Sequence, residues 1–200
     1  MPVMQVHYTE GTLDERKKAA LAQRLTDILL NMEGGAKTPG GLRFATVLFT
    51  PVGSSDWWVG GQTDDTYVAP PGKFLVDVTI PEGYMNTTHK SEVHAAVNAA
   101  IIDLMGHTGN PSEGASVFVT IHEVTEGNWG ARGKTISLAS IADTVGLPKN
   151  GERFAWVRSY FAAKAKQFAA AGYPADTGGL LPCETPANGS SAATQKHKIG

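Results

Sequence analysis

Pro2 is the residue of this chain whose chemistry depends most on its place. It follows Met1 directly and opens a strand-like run, Val3-Met4-Gln5-Val6-His7-Tyr8-Thr9-Glu10. Removal of Met1 would turn the Pro2 nitrogen from an amide into a secondary amine with a lone pair that can take a proton. Free α-amino groups titrate near ~7.7 to 8.0, and burial or nearby cations lower that value, so such an amine is a candidate general base at neutral pH. A Met-Pro start also occurs in chains with no catalytic use for it, so the surrounding elements must decide. His7, His122 and Glu123 also invite acid–base chemistry, but they lack a metal-ligand spacing and read as strand residues with ordinary partners.

The elements that would position Pro2 follow in order. Glu10-Gly11 makes a turn, and Thr12-Leu13-Asp14-Glu15 has the pattern of a capping box. Leu21, Leu25, Ile28, Leu29 and Met32 then recur at helical spacing, and Gly34-Gly35 closes the helix. A loop through Pro39-Gly40-Gly41 leads to a second strand, Phe44 to Thr50, and to the turn Ser55-Asp56-Trp57-Trp58-Val59-Gly60-Gly61. A strand, a crossover helix and a strand join most naturally as a parallel pair with the helix on one face.

This unit recurs without a gap at a constant offset of 72: Glu10 to Glu82, Gly34 to Gly106, Pro39 to Pro111, Val47 to Val119, Trp57 to Trp129 and Gly61 to Gly133. The apolar helix face repeats as Val93, Val97, Ala100, Ile101 and Leu104. In the opening strands Met4, Val6 and Tyr8 answer to Val76, Val78 and Ile80, the face expected beneath the helices, whereas Gln5 and His7 answer to Asp77 and Thr79. The reading is an α+β fold, two consecutive β-α-β repeats forming a mixed sheet with helices on one face, plus a C-terminal extension. Ile136 to Val145 fits either a short strand or a helical turn. Glu152 to Ala171 reads as a helix, with Phe154, Val157, Phe161, Ala165 and Phe168 on one face. From Gly172 to Gly200 small and polar residues dominate, which predicts a tail without a fold of its own.

Composition narrows the partners. Lys plus Arg number 17 against 19 Asp plus Glu, with no basic stripe, so nucleic acid is not an expected partner. No apolar run is long enough to span a bilayer and no signal peptide is evident, so no membrane partner is expected either. Cys183, the single cysteine, excludes an internal disulfide and is compatible with a reducing, cytoplasmic location.

The proline-initiated strand, the doubled unit and the glycine turn with its aromatic together resemble the tautomerase superfamily over roughly residues 2 to 133. The opening is similar to that of 4-oxalocrotonate tautomerase. The doubled unit with a C-terminal extension is most similar to the cis-3-chloroacrylic acid dehalogenase group. The resemblance implies a tautomerase-like domain over 1–135 (repeats 2–61 and 74–133), an extension over 136–171 and the tail over 172–200. It also implies Pro2 as the catalytic residue, no cofactor and no metal, a small-molecule carboxylate substrate and assembly as a homotrimer. The second copy has no proline amine of its own, because Phe74 stands internally at that position.

Departures from the family pattern shape the chemistry. Thr12 and Thr46 stand where 4-oxalocrotonate tautomerase carries substrate-binding arginines, with Arg43 nearby. Where the dehalogenase group carries an arginine pair, a histidine and a water-activating glutamate, this chain has Pro81 and Tyr84, Leu29 and Ala131. Polarising an acrylate and activating water need such groups, whereas keto–enol transfer needs one base and donors for an enolate. The resemblance therefore implies a Pro2-dependent tautomerase, an isomerase of a small 2-oxo acid. Arg132, Trp57, Tyr84 and Lys37 are the candidate substrate-binding residues. Alternatives are a hydratase, dehalogenase or decarboxylase of 3-carbon acids, or a non-catalytic binding protein on the same scaffold.

Overall fold

The computed structural model describes residues 2–32, 37–107, 110, 112–174 and 177–182. The expected closing glycines Gly34 and Gly35, the repeat partner Pro111 and Cys183 lie outside the described residues. Strand β1 (Val3–Thr9) leads to helix α1 (Glu15–Met32), a short helix α2 (Pro39–Phe44) and strand β2 (Thr46–Val52). Strand β3 (Phe74–Pro81), helix α3 (Thr87–Leu104) and strand β4 (Val117–Val124) repeat that unit. A two-stranded hairpin, β5 (Gly130–Ala131) with β6 (Lys134–Thr135), precedes helices α4 (Leu138–Val145) and α5 (Glu152–Ala170).

The four long strands form one mixed sheet in the order β2-β1-β3-β4. β1 runs parallel to β2 and antiparallel to β3, and β3 runs parallel to β4. The repeat is carried into the fold without slippage. Both long helices span 18 residues and start 72 apart (87 minus 15). Both parallel pairs share a register of 43, Val3 opposite Thr46 and Phe74 opposite Val117.

Alternation along β1 explains the layering. Met4, Val6 and Tyr8 are buried on one face together with Val76, Val78 and Ile80, under Leu21, Leu25, Leu29, Val93, Val97 and Ile101. The guanidinium of Arg24 donates to the Ala100 carbonyl at 3.2 Å, joining the two helices. Among the described residues no helix covers the opposite face. There the Asp77 carboxylate lies 3.3 Å from His7 and 3.2 Å from His122, and Leu48 and Phe118 stand exposed on the outer strands.

Three local expectations are corrected. α1 is capped by Asp14, whose carboxylate accepts the Lys17 N–H at 2.7 Å, rather than by a Thr12–Glu15 box, because Thr12 is drawn into the turn by its N–H bond to the Thr9 carbonyl. The Pro39-Gly40-Gly41 loop is a helical turn. Thr38 caps it by accepting the Gly41 N–H at 3.0 Å, and Pro39 supplies the preset first residue, so Phe44 is helical and the strand starts at Thr46. In α5, Phe154, Val157 and Phe161 are buried as expected, but Ala165 is exposed and Phe168 stacks on Tyr173 at 4.8 Å, because the helix end runs past the core.

The undecided stretch is α4, started by a Ser137–Ser140 capping box and ended by Gly146 in the left-handed region at φ 76°. The small-residue composition after Gly172 meets a packed stretch at 177–182, where the Gly179 N–H donates to the Glu126 carbonyl at 3.0 Å and Leu181 rests on the core. No helix among the described residues is long and apolar enough to cross a membrane.

Candidate functional site

Pairing decides what Pro2 can meet. Pro2 is buried at the start of β1, and its carbonyl accepts the Thr46 N–H at 3.3 Å. Because β3 runs antiparallel to β1, with Val3 opposite Thr79, the Pro2 end of the sheet is also the end at which β3 and β4 finish. The chain leaving β4 forms the β5–β6 hairpin, so Trp129 and Arg132 belong to the Pro2 end. α2, which carries Arg43 in its last turn, enters β2 at that end too. Arg43 is exposed and makes no ion pair among the described residues.

Trp57 lies elsewhere. It follows the far end of β2, where Val52 pairs with Thr9, and the seven residues of β1 separate it from Pro2 by roughly 23 Å at the usual strand rise. A single chain therefore does not bring Trp57 to Pro2. The aromatic at the Pro2 end is its repeat partner Trp129, half-buried, with an indole N–H that has no acceptor among the described residues. Trp129 was legible as a repeat of Trp57, but its pairing with Pro2 follows from the antiparallel β1–β3 contact, which a sequence offset does not contain.

Arg132 sits exposed at the hairpin tip with φ 55°, and Gly133 follows at φ 71°. The equivalent turn in the first copy has Gly60 at φ 57° and Gly61 at φ 79°, closed by the Val59–Gln62 bridge. The second copy thus places an arginine where the first places glycine, in a conformation that disfavours side chains. Tyr84 is buried beneath α4: with Pro81, Leu138, Ile141 and Val145 it lines a cavity of about 10 Å³, and the Arg153 guanidinium lies 5.2 Å over its ring. Lys37 is exposed and ion-paired with Asp27 of α1 at 2.7 Å. That bond and the Lys37 charge hold the Asp27 carboxyl below its ordinary range.

α4 lies across this end of the sheet. Thr38 donates through its hydroxyl to the Val145 carbonyl at 3.3 Å, and Gly40 meets the Thr144 carbonyl so closely that a Cβ would lie 2.2 Å from it. Beneath α4, Glu126 is almost fully buried, and its carboxylate accepts the Leu138 N–H at 3.0 and 3.1 Å. Burial pushes the Glu126 carboxyl above its ordinary value, and the nearby Glu82 charge adds to the shift. For Glu82 burial alone would act the same way, but bonds from Lys164, Tyr160 and the Glu126 N–H outweigh it and hold the carboxyl low. Burial and the bond to Glu82 push the Tyr160 phenol up to about 12.

The two carboxylates give opposite pH signatures. The raised Glu126 value favours a protonated native state, so its contribution to stability is present below 4.5 and is lost as pH rises through the folded value. The lowered Glu82 value contributes stability above 4.5 that is lost as pH falls through its folded value. Glu126→Gln, which stays neutral, is therefore expected to gain stability relative to wild type as pH is raised from 4.5 towards 7, read as the difference in Tm across that range.

On the uncovered face, burial would raise the Asp77 carboxyl, but the hydrogen bonds from Thr120 and His122 and the charges of His122 and His7 together hold it low. Glu123 accepts from Lys90 at 2.8 Å and from the Gly83 N–H at 3.3 Å. These are the ordinary strand partners expected of His7, His122 and Glu123. Among the described residues no group of three His, Cys, Asp or Glu is arranged to hold a metal ion.

Residues 1–135 match a protein family described as "Putative oxalocrotonate tautomerase enzyme". Three solved structures share the fold. A member of the cis-3-chloroacrylic acid dehalogenase family is 19% identical, with a TM-score of 0.53 over 85% of this chain and 99% of that one. A fused 4-OT described as a wild-type symmetric trimer is 20% identical, with a TM-score of 0.53 over 69% and 97%. A protein crystallised after inactivation by 2-oxo-3-pentynoate is 20% identical, with a TM-score of 0.54 over 70% and 98%. No curated protein matches the sequence.

Proposed function

We propose a Pro2-dependent tautomerase; the chain belongs to the oxalocrotonate tautomerase family, within the tautomerase superfamily, and has the α+β fold of the dehalogenase-like relatives. The observation that carries the reading is the position of Pro2, buried at the start of a central strand at the sheet end that also receives the second copy's glycine hairpin. With Met1 removed, the Pro2 amine takes the enol O–H proton of a small 2-oxo acid and delivers a proton to the adjacent carbon. Burial favours the neutral, basic form of that amine. Arg132 and Arg43 are the cations at this end that can hold the substrate carboxylate in forked geometry, and Trp129 supplies an aromatic wall. Lys37, already paired with Asp27, and Tyr84, enclosed under α4, serve the site less directly.

Water-activating chemistry is less well supported. Leu29 is fully buried and Ala131 carries no titratable group. The nearby carboxylates are engaged elsewhere, Glu126 by the α4 backbone and Glu82 by Lys164 and Tyr160. We assign the chain to the cytoplasm and to a homotrimer. The fused 4-OT trimer supports the latter, as does the exposed Leu48 on the uncovered face of β2.

Arg132→Gly separates binding from folding. It relieves the left-handed strain and is expected to raise stability by up to about 1 kcal/mol, while raising KM for a 2-oxo acid roughly tenfold. The whole reading is tested by the intact mass of the mature protein together with turnover of phenylpyruvate enol. Loss of the Met1 mass with measurable ketonisation is the expected result. A retained Met1, which blocks the amine, together with enzymatic activity would overturn it.

A further inference from the structure

The end of the sheet opposite Pro2 carries a second amine. Lys73 stands one residue before β3, where the offset of 72 places Met1 in the first copy (73 minus 1). Its side chain is buried, only 5% exposed, although it closes residues 62–73, a connecting run between the two copies rich in Thr, Asp, Pro and Gly. The ammonium donates to the Thr63 carbonyl at 2.6 Å and to the Trp57 carbonyl at 3.2 Å. It forms no ion pair among the described residues. The Asp64 carboxyl, held low first by its bonds to Thr66, also feels the Lys73 charge without pairing with it.

A buried ammonium with carbonyl partners alone is only partly compensated, since two dipoles satisfy two of its three donors and its charge has no carboxylate in direct contact. Beside it is a cavity of about 170 Å³, walled by Trp57, Tyr67 and Phe118. Ser116 lines the same cavity, and its oxygen accepts the Ala69 N–H at 2.8 Å, so its hydroxyl proton is available to a further acceptor. A cavity of roughly 150 Å³ accommodates a benzene ring. Three aromatic side chains favour a flat π-surface, and a buried cation with an adjacent hydroxyl favours a carboxylate.

We propose that this cavity is a second ligand site, separate from the Pro2 end, for a small carboxylate carrying one aromatic ring or a comparable unsaturated body. Lys73 holds the carboxylate, Ser116 donates to it, and Trp57, Tyr67 and Phe118 enclose the ring. The assignment does not depend on catalysis by Pro2.

Calorimetric titration of the full, assembled chain with benzoate tests it, with benzamide as the uncharged control. Saturable benzoate binding is expected, at least tenfold tighter than benzamide. Lys73→Met should weaken benzoate at least tenfold, and Ala115→Leu, which fills the cavity from an exposed position, should do the same with the fold intact by circular dichroism. Pro2→Ala should leave benzoate affinity unchanged. Absence of saturable binding to wild type, equal affinity for benzamide, or binding that survives Ala115→Leu would overturn the proposal. Loss of binding in Pro2→Ala would likewise overturn it, by moving the ligand to the other end of the sheet.

Discussion

Pro2→Ala is expected to lower kcat/KM for ketonisation of phenylpyruvate enol by about 10²- to 10⁴-fold, the usual contribution of a positioned general base. The alanine amine would still be a base, but it is primary and lacks the ring that fixes the lone pair relative to β1. The loss should therefore fall chiefly on kcat, because the carboxylate contacts assigned to Arg132 and Arg43 remain. Stability should change little. The Pro2 contribution to the sheet runs through its carbonyl and the Thr46 N–H, which alanine preserves. A variant that folds normally yet keeps full turnover would detach the chemistry from this amine.

The second large effect concerns the extension. Phe154 is fully buried, and its helix reaches back to the repeats through the Arg153 guanidinium on the Met32 carbonyl at 2.6 Å and the Lys164–Glu82 pair. Gly83, at φ 71°, leaves room for Tyr160 and Phe161, and a Cβ there would lie 2.5 Å from the Tyr160 ring. Phe154→Ala should cost about 3–5 kcal/mol through lost burial and the cavity left behind. For a chain of this size that corresponds to a drop in Tm of roughly 6–20 °C in a single cooperative transition. Scanning calorimetry distinguishes this from an independently docked helix, which would show an unchanged main transition and only a local loss of helicity.

Much of this architecture is legible in the residues themselves. The offset of 72 survives as equal helix lengths and equal strand registers, because apolar spacing alone determines which residues face the common core. α2 is not legible. Its Pro39-Gly40-Gly41 start has the chemistry of a turn, and what makes it helical is the Thr38 cap together with packing against α4 from more than a hundred residues away. The site is partly legible for a related reason. A repeat identifies Trp57 and Trp129 as equivalents but not whether the two copies meet parallel or antiparallel, and that orientation alone assigns Trp129 to Pro2 and Trp57 to Lys73. Lys73 carries no signal of burial in the sequence, because its partners are backbone carbonyls, which any residue supplies.

The most direct test of the central claim is covalent capture with 2-oxo-3-pentynoate. The triple bond of this 2-oxo acid is conjugated to its ketone, so a neutral amine adds across it and the nitrogen proton ends on carbon. Loss of activity in step with a single adduct, mapped by peptide mass spectrometry to Pro2 and absent from an enzyme with a blocked N-terminus, is the predicted result. Inactivation with the adduct on another residue, or full activity after Pro2 has been modified, would contradict the account.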